Sequence, residues 1–269
     1  MSGEVTRTGN EGQEVTYSKE NGIAVIVIDN PPLNVLSSRI FAQLGETFAR
    51  LAADNEVVAV LLTTAGERAF IAGADIKEFP QLMGNPGMMD YVMGVHRTLN
   101  AIDNFPKPTI AVLDGLTLGG GCELALTCDL RIAEEQAQIG LPEVKLGLFP
   151  GGGGTQRLPR LVGEAKAKEM MYTGEPISAH HAERIGLVNQ VVPKGQGLAV
   201  AKQLAEKIAG NSLQSLARIK KAVDEGLLLP LEGGIEREAE LFVEVFQTED
   251  VREGVSAFIE RRKPVFRHR

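Results

Sequence analysis

The stretch GIAVIVIDNPPLNVLSSRIFAQLGETFARLAADNEVVAVLLTT, residues 22–64, decides the fold. It opens on a nearly continuous β-branched run, the pattern of a strand buried on both faces, and the prolines of NPPLN then force a turn. From there Ile40, Phe41, Leu44, Phe48 and Leu51 recur at helical spacing, with Ser37 or Ser38 available as the N-cap. VVAVLLTT, residues 57–64, is a second buried strand. Strand, helix and strand in this order make a βαβ unit, which favours a right-handed crossover and a parallel sheet.

Working outward, residues 1–12 have no apolar periodicity and are predicted to form a flexible tail. Downstream, residues 88–102 read as a helix and 109–115 as a strand. LTLGGGCELALTCDL (116–130) reads as the next helix and 129–135 as a further strand. After Pro193 the periodicity is helical almost throughout, broken near Asn211, Pro230 and Asp250 into four helices. The reading is a spiral or layered α/β core over 13–195 that carries the active site, and a helical region over 196–269.

Composition narrows the function. The 269 residues are 43% hydrophobic and 23% charged, as in ordinary globular proteins. The net charge of −7 argues against a nucleic-acid partner, which needs a net basic face. The basic end RRKPVFRHR is either a local patch or a solvated tail. No run of about 18 apolar residues is present, so no membrane span is expected. Cys122 and Cys128 lack C-x-x-C spacing and are expected to be buried thiols in a reducing, cytoplasmic setting. The four histidines show no metal-ligand spacing, and the His180–His181 pair reads as helix surface, so no metal site is expected.

The glycine triplet Gly119–Gly120–Gly121 fits neither G-x-x-x-x-G-K-[ST] nor G-x-G-x-x-G, which argues against a nucleotide cradle. What fits is a strand ending near Leu113, a short loop, and a helix whose first turn holds the glycines and Glu123. Unpaired N–H groups there can meet an anion or a developing oxyanion, while tight helix-to-strand packing is the other reason for glycines. AFIAGADIKEF (69–79) repeats the arrangement, with Ala72, Gly73 and Ala74 before an apparent helix start at Asp75. Two small-residue loops at the carboxyl ends of parallel strands fall where ligands bind in α/β folds, and two converging N–H groups make an oxyanion hole. Glu143, behind Pro142, and Glu123 both have mostly apolar neighbours, which suits carboxyls with raised pKa, although a surface position is the commoner alternative for such a glutamate.

AFIAGADIKEF, GGGCELALTCD, GLPEVKLGLFPGGGGTQRLPRLVG and EPISAHHAERIGLVNQVV, in this order and spacing, resemble the enoyl-CoA hydratase (crotonase) family. The resemblance runs from about Val15 to the C-terminus. It implies an α/β spiral of ββα repeats followed by a C-terminal helical trimerisation region, assembled as a homotrimer or homohexamer. It implies an acyl-CoA thioester as substrate, with CoA part of the substrate and no separate cofactor. Syn addition of water to the 2,3 double bond would then use Glu123 to activate water for C3, Glu143 to protonate C2, and the Ala74 and Gly120 amides to hold the thioester oxygen.

The resemblance also implies that PPLN (31–34) and ADIK (74–77) flank the CoA part. Leu33, Ala72, Asp75, Ile76 and Lys77 would be substrate-binding, with Arg68, Lys77 and Arg261 near the phosphates; Arg261 comes from the same or a neighbouring subunit. Met83, Met88, Met89 and Met93 are either core or lining of the acyl channel. Two departures stand out: PGAGGTQRL in the family is PGGGGTQRL here, with Gly152 or Gly153 for alanine, and Leu141 occupies a site that is glutamine in some hydratases. Rival readings are an isomerase or lyase of the same family, or a non-catalytic acyl-CoA-binding protein.

Overall fold

In the computed structural model the described residues are Thr6–Thr8 and 13–269. Within the stretch expected to be a tail, β1 (Thr6–Thr8) pairs antiparallel with β2 (Val15–Glu20), and the rest of 1–12 lies outside the described residues. β3 (Ile23–Ile28) continues the antiparallel ladder from β2. α1 (Ser38–Ala53) then crosses to β4 (Ala59–Thr64), which is parallel to β3 in the register Ile23 to Ala59 through Ile28 to Thr64.

The local reasons are those of the sequence. Ser37 Oγ accepts from Ile40 N at 3.3 Å and caps α1, whose Ile40, Leu44, Phe48 and Leu51 are all buried. At its other end the buried Lys107 Nζ donates to Leu51 O (2.7 Å) and Asp54 O (2.6 Å), adding a charged donor to carbonyls that also accept from Asp54 N and Val57 N. Phe48 and Phe105 meet edge to face with centroids 5.1 Å apart, which packs α1 against the loop over 104–108.

From β4 onward the chain repeats one unit: a strand for a large sheet, a strand for a small sheet, then helix. The first unit is β4, β5 (Ala69–Ile71), α2 (Phe79–Leu82) and α3 (Met88–Asp103). The second is β6 (Thr109–Leu113), β7 (Leu116–Leu118) and α4 (Gly120–Ala125). The third is β8 (Leu130–Glu134), β9 (Gln138–Gly140), α5 (Gly154–Val162) and α6 (Glu164–Thr173). β10 (Ile177–Ser178), α7 (Ala179–Arg184) and β11 (Gln190–Val192) follow. Four helices end the chain: α8 (Gly197–Ala209), α9 (Leu213–Gly226), α10 (Leu231–Val245) and α11 (Glu249–Glu260), with breaks where the sequence placed them.

Among the described residues the large sheet runs β1, β2, β3, β4, β6, β8, β11, parallel from β3 onward; the small one runs β10, β9, β7, β5. The small sheet corrects the reading of 116–130 as loop and helix, because Leu116–Leu118 pair with β5 on one side and β9 on the other, and the helix is confined to Gly120–Ala125. Strands of three residues carry too few side chains to show a period of two, so only their partners reveal them.

The main core gathers α1, α3, α4 and one face of the large sheet. A second lies on the opposite face, where Ala201 and Ala205 of α8 pack on Leu61, Ile110, Ile132 and Val192. The boundary drawn at 195/196 passes just ahead of α8, which thus packs against the sheet. Cys122 and Cys128 are buried free thiols, as expected. No helix among the described residues is long and apolar enough to cross a membrane.

Candidate active site

β5 and β7 are parallel, so the loops at their carboxyl ends lie side by side. The 72–75 loop is tied to the 33–36 segment by three backbone bonds: Ala72 N to Leu33 O (3.1 Å), Leu36 N to Gly73 O (2.8 Å) and Asp75 N to Leu36 O (2.8 Å). The Ala74 N–H is left over, and no hydrogen bond among the described residues uses it. Gly120 N is likewise unused as the first amide of α4. A Cβ on Gly120 would stand 3.5 Å from Ala74 N, so the two unused amides lie close together across space that glycine keeps clear.

Each glycine of the triplet has its own reason. Gly119 sits at φ 52°, ψ −125°, a region closed to residues with a side chain, and a Cβ there would also reach 3.1 Å from Glu143 Oε1. Gly120 leaves room beside Ala74 N. Gly121 packs on β5, where a Cβ would lie 2.2 Å from Ile71 O. Backbone conformation thus accounts for Gly119 and packing for Gly121, while Gly120 leaves the space beside Ala74 N open.

Glu123 follows on α4 and is only 5% exposed. Its Oε1 accepts from Gly152 N (2.7 Å) and Gly154 N (2.8 Å), which the PGGGG turn before α5 presents. Burial raises its pKa, opposed by those two amides and by the Arg157 guanidinium. Glu143 stands at the start of a 3₁₀ turn, Glu143–Leu146, half-buried, with Oε2 buried and unpartnered among the described residues. Burial, with the nearby Glu123 charge adding to it, pushes its pKa up to about 7 against backbone hydrogen bonding. Two carboxyls of raised pKa beside two free amides form a set that can hold a developing oxyanion while moving protons near neutrality. The alternative of a surface glutamate does not describe Glu123, which is in the protein interior.

PPLN and ADIK also come together. A cleft of about 290 Å³ is lined by residues 30–33, Val35 and 74–77, so Leu33, Asp75, Ile76 and Lys77 share its wall with Ala74. Ala72 lies half-buried one residue before the loop turns, held by Leu33 O. Arg68 is exposed at the entry to β5, and Arg261 is exposed in left-handed conformation at the end of α11; neither lines this cleft. Met83, Met88, Met89 and Met93 are exposed, which removes the core alternative for them. His180 is exposed on α7, and no group of three or more His, Cys, Asp or Glu among the described residues could hold a metal ion.

Four residues have duties here that the sequence reading did not assign to them. Asn34, buried in left-handed conformation (φ 53°), donates from Nδ2 to Ala65 O and Ala69 O (both 2.9 Å) and accepts from Asn30 N, holding the PPLN turn against β5. Arg157 donates to Gly152 O (3.3 Å), Asp103 Oδ2 (2.8 Å) and Asn100 Oδ1 (2.7 Å), tying the PGGGG turn to α3. Gly152 and Gly154 supply amides rather than side chains. An asparagine after two prolines is a visible turn signal; backbone donors leave none beyond the glycines themselves.

The same arrangement of repeats and loops recurs in known proteins. The sequence model of the enoyl-CoA hydratase/isomerase family matches residues 18–269. A short-chain-enoyl-CoA hydratase of Clostridium acetobutylicum is 41% identical over 94% of this chain and 97% of its own. A probable enoyl-CoA hydratase of Bacillus subtilis is 42% identical over 94% and 98%. The crystal structure of an enoyl-CoA hydratase from Bacillus anthracis superposes with a TM-score of 0.91 at 37% identity, covering 96% of this chain and 100% of that one. With the family model spanning residues 18–269 and relatives above 40% identical matched over nearly their whole length, the chain belongs to the enoyl-CoA hydratase/isomerase family.

Proposed function

We propose that the protein is a 2-enoyl-CoA hydratase, adding water syn across the 2,3 double bond of an acyl-CoA thioester to give the 3-hydroxyacyl-CoA. The observation that carries this reading is the pairing of Glu123, anchored through one oxygen by two amides, with Glu143, whose buried Oε2 has no partner among the described residues and whose pKa is pushed up to about 7.

In the forward direction Glu123 Oε2 holds a water and takes its proton as the water oxygen bonds to C3. The π electrons move through C2 onto the thioester oxygen, which accepts from Ala74 N–H and Gly120 N–H. Glu143 gives its proton to C2 as the carbonyl reforms. The two carboxyls end with exchanged protonation states and reset through solvent. Each preorganised amide contributes about 3–4 kcal/mol to the transition state. The CoA part lies along Leu33, Ala72, Asp75, Ile76 and Lys77, with Arg68 and Arg261 as the cations for the phosphates, and the exposed methionines of 83–93 line the acyl channel.

Mixing with crotonyl-CoA should remove the absorbance of the conjugated thioester. No loss with any 2-enoyl-CoA from C4 to C16 would sink the hydratase reading and leave an isomerase, a lyase or a silent binding protein. The pH profile carries a sign. Glu143 must be protonated and Glu123 ionised, so kcat/KM for hydration should be bell-shaped, falling as pH rises above about 7. A flat alkaline side would remove Glu143 from the proton-donor role.

The helices after α8 support assembly as a homotrimer or homohexamer. Leu227, Leu231 and Phe258 are 82%, 80% and 85% exposed, a scale of apolar exposure that soluble monomers rarely keep uncovered. Sedimentation equilibrium should give a mass three or six times 28.9 kDa; a monomer at micromolar concentration would contradict it.

A further inference from the structure

Glu123 is taken almost wholly out of water, and among the described residues one full positive charge bears on it. Its Oε1 is held by the Gly152 and Gly154 amides, which are only dipoles. The charge is the Arg157 guanidinium on α5, whose Nη1 donates to Gly152 O (3.3 Å). Gly152 therefore meets the carboxylate with its N–H and the guanidinium with its carbonyl. A seat is kept clear for that guanidinium, because Gly153 lies at φ 103° and a Cβ there would come within 2.2 Å of Nη1. From α3, Asp103 Oδ2 accepts from Nε (2.8 Å) and Asn100 Oδ1 from Nη2 (2.7 Å), which fixes the fork in place. Arg157 is 15% exposed and Asp103 44%, so water screens the counter-ion more than it screens the cation.

The other charged or titratable groups near Glu123 do not supply this charge. Glu143, from the 3₁₀ turn, is of like sign, and Cys122, beside Glu123 on α4, is a thiol that burial keeps protonated. The buried Arg131 spends its donors on Leu187 O, Ala125 O and Cys128 O, at the far end of α4. Leu99 of α3 and Leu141 after β9 pack here with apolar side chains. We propose that Arg157 is a positioning residue for hydration: clamped by Asp103 and Asn100, it steadies the turn that binds Glu123 and supplies the positive charge that keeps Glu123 ionised as the base for water. The inference rests on the hydratase reading above. Burial raises the Glu123 pKa, and the Gly154 and Gly152 amides and then Arg157 oppose that rise. The amides belong to the backbone, so the guanidinium is the part of this opposition that a side-chain change can remove. Without it Glu123 should be harder to ionise, and the acid limb of kcat/KM, on which the base titrates, should move to higher pH. A merely structural clamp would lower turnover and leave the limb where it is.

The test compares pH profiles of kcat/KM for crotonyl-CoA hydration in the wild type, Arg157→Gln, Arg157→Lys and Asp103→Asn. Both changes at 157 lose the fork that joins Gly152 to α3, but only Gln loses the charge. Arg157→Gln should move the acid limb up by about 0.5 pH unit or more, so that its deficit against the wild type grows as pH falls. Arg157→Lys should move it by less than half as much. Asp103→Asn keeps an acceptor for Nε and removes the offsetting charge, so its limb should move down. An unmoved limb in Arg157→Gln, or equal shifts for Gln and Lys, would overturn the inference, as would an upward or unmoved limb in Asp103→Asn. Should the Arg157 variants fail to fold, the direction of the Asp103→Asn shift decides alone. A wild type that hydrates no enoyl-CoA is a different pattern, which removes the hydratase reading and this inference with it.

Discussion

Glu143→Gln and Glu123→Gln should each lower hydration turnover by at least about 10²-fold while leaving acyl-CoA binding largely intact. Gln at 143 keeps the shape of the side chain but has no acidic proton for C2. Gln at 123 can still accept from Gly152 N and Gly154 N at one oxygen, but its amide nitrogen cannot take a proton from water. Neither change touches the cleft formed by residues 30–33 and 74–77, so calorimetric titration with the 3-hydroxyacyl-CoA should give affinities near that of the wild type. Unchanged turnover in either variant would refute its role.

Stability supplies an independent check on Glu143. Its folded pKa, about 7, lies above the unfolded value of 4.5, so the folded chain binds the extra proton and loses stability as pH rises from 4.5 through 7. Glu143→Gln removes a half-buried carboxylate whose Oε2 has no partner among the described residues. The variant should therefore melt higher than the wild type at pH 8, with the difference vanishing below pH 4.5. Discounted for partial exposure, the gain is on the order of 1 kcal/mol, or about 2–4 °C in Tm. A variant that melts lower at pH 8 would mean that Glu143 is ionised and paired.

Gly121→Ala and Gly120→Ala, adjacent in sequence, should fail in opposite ways. A methyl on Gly121 would lie 2.2 Å from Ile71 O and 2.6 Å from Ile71 Cβ, at the buried end of β5. The strand must move, at a cost of about 1–3 kcal/mol or more, and the Ala74 amide three residues on moves with it. Tm should fall by roughly 5–10 °C and turnover by about 10²-fold, the effect of a 1 Å misplacement. A methyl on Gly120 meets nothing closer than 3.5 Å, so Tm should hold or rise slightly, since alanine favours the helix. That nearest atom is Ala74 N, however, and the methyl takes the space of the oxygen that both amides would bind, so turnover should be lost without loss of fold. Equal melting temperatures for wild type and Gly121→Ala, or normal turnover in Gly120→Ala, would contradict this division.

How far the site was legible depends on what carries each part. Glu123 and Glu143 announced themselves as carboxylates in apolar surroundings, and the loops at Ala74 and Gly120 as small residues after strands. The two glycine clusters were visible as composition, but the conformation that Gly119 serves and the packing that Gly121 serves were not. Gly152 and Gly154 serve through their amides, a backbone duty that leaves no side-chain signature in the sequence. Arg157 gives no local sign of its task, because its partners on α3 lie more than fifty positions earlier.

The sequence by itself determined the parallel βαβ start, the alternation of strands and helices, the four closing helices and the two acidic side chains. These follow from periodicities and breakers that act over a few residues. Only the tertiary structure decided that β5, β7 and β9 form a second sheet, since three-residue strands gain their identity from hydrogen-bond partners. It alone brought the Ala74 and Gly120 amides close together and seated Glu123 against Gly152, because the approach of backbone groups and the raising of a carboxyl pKa depend on which distant segments pack around them.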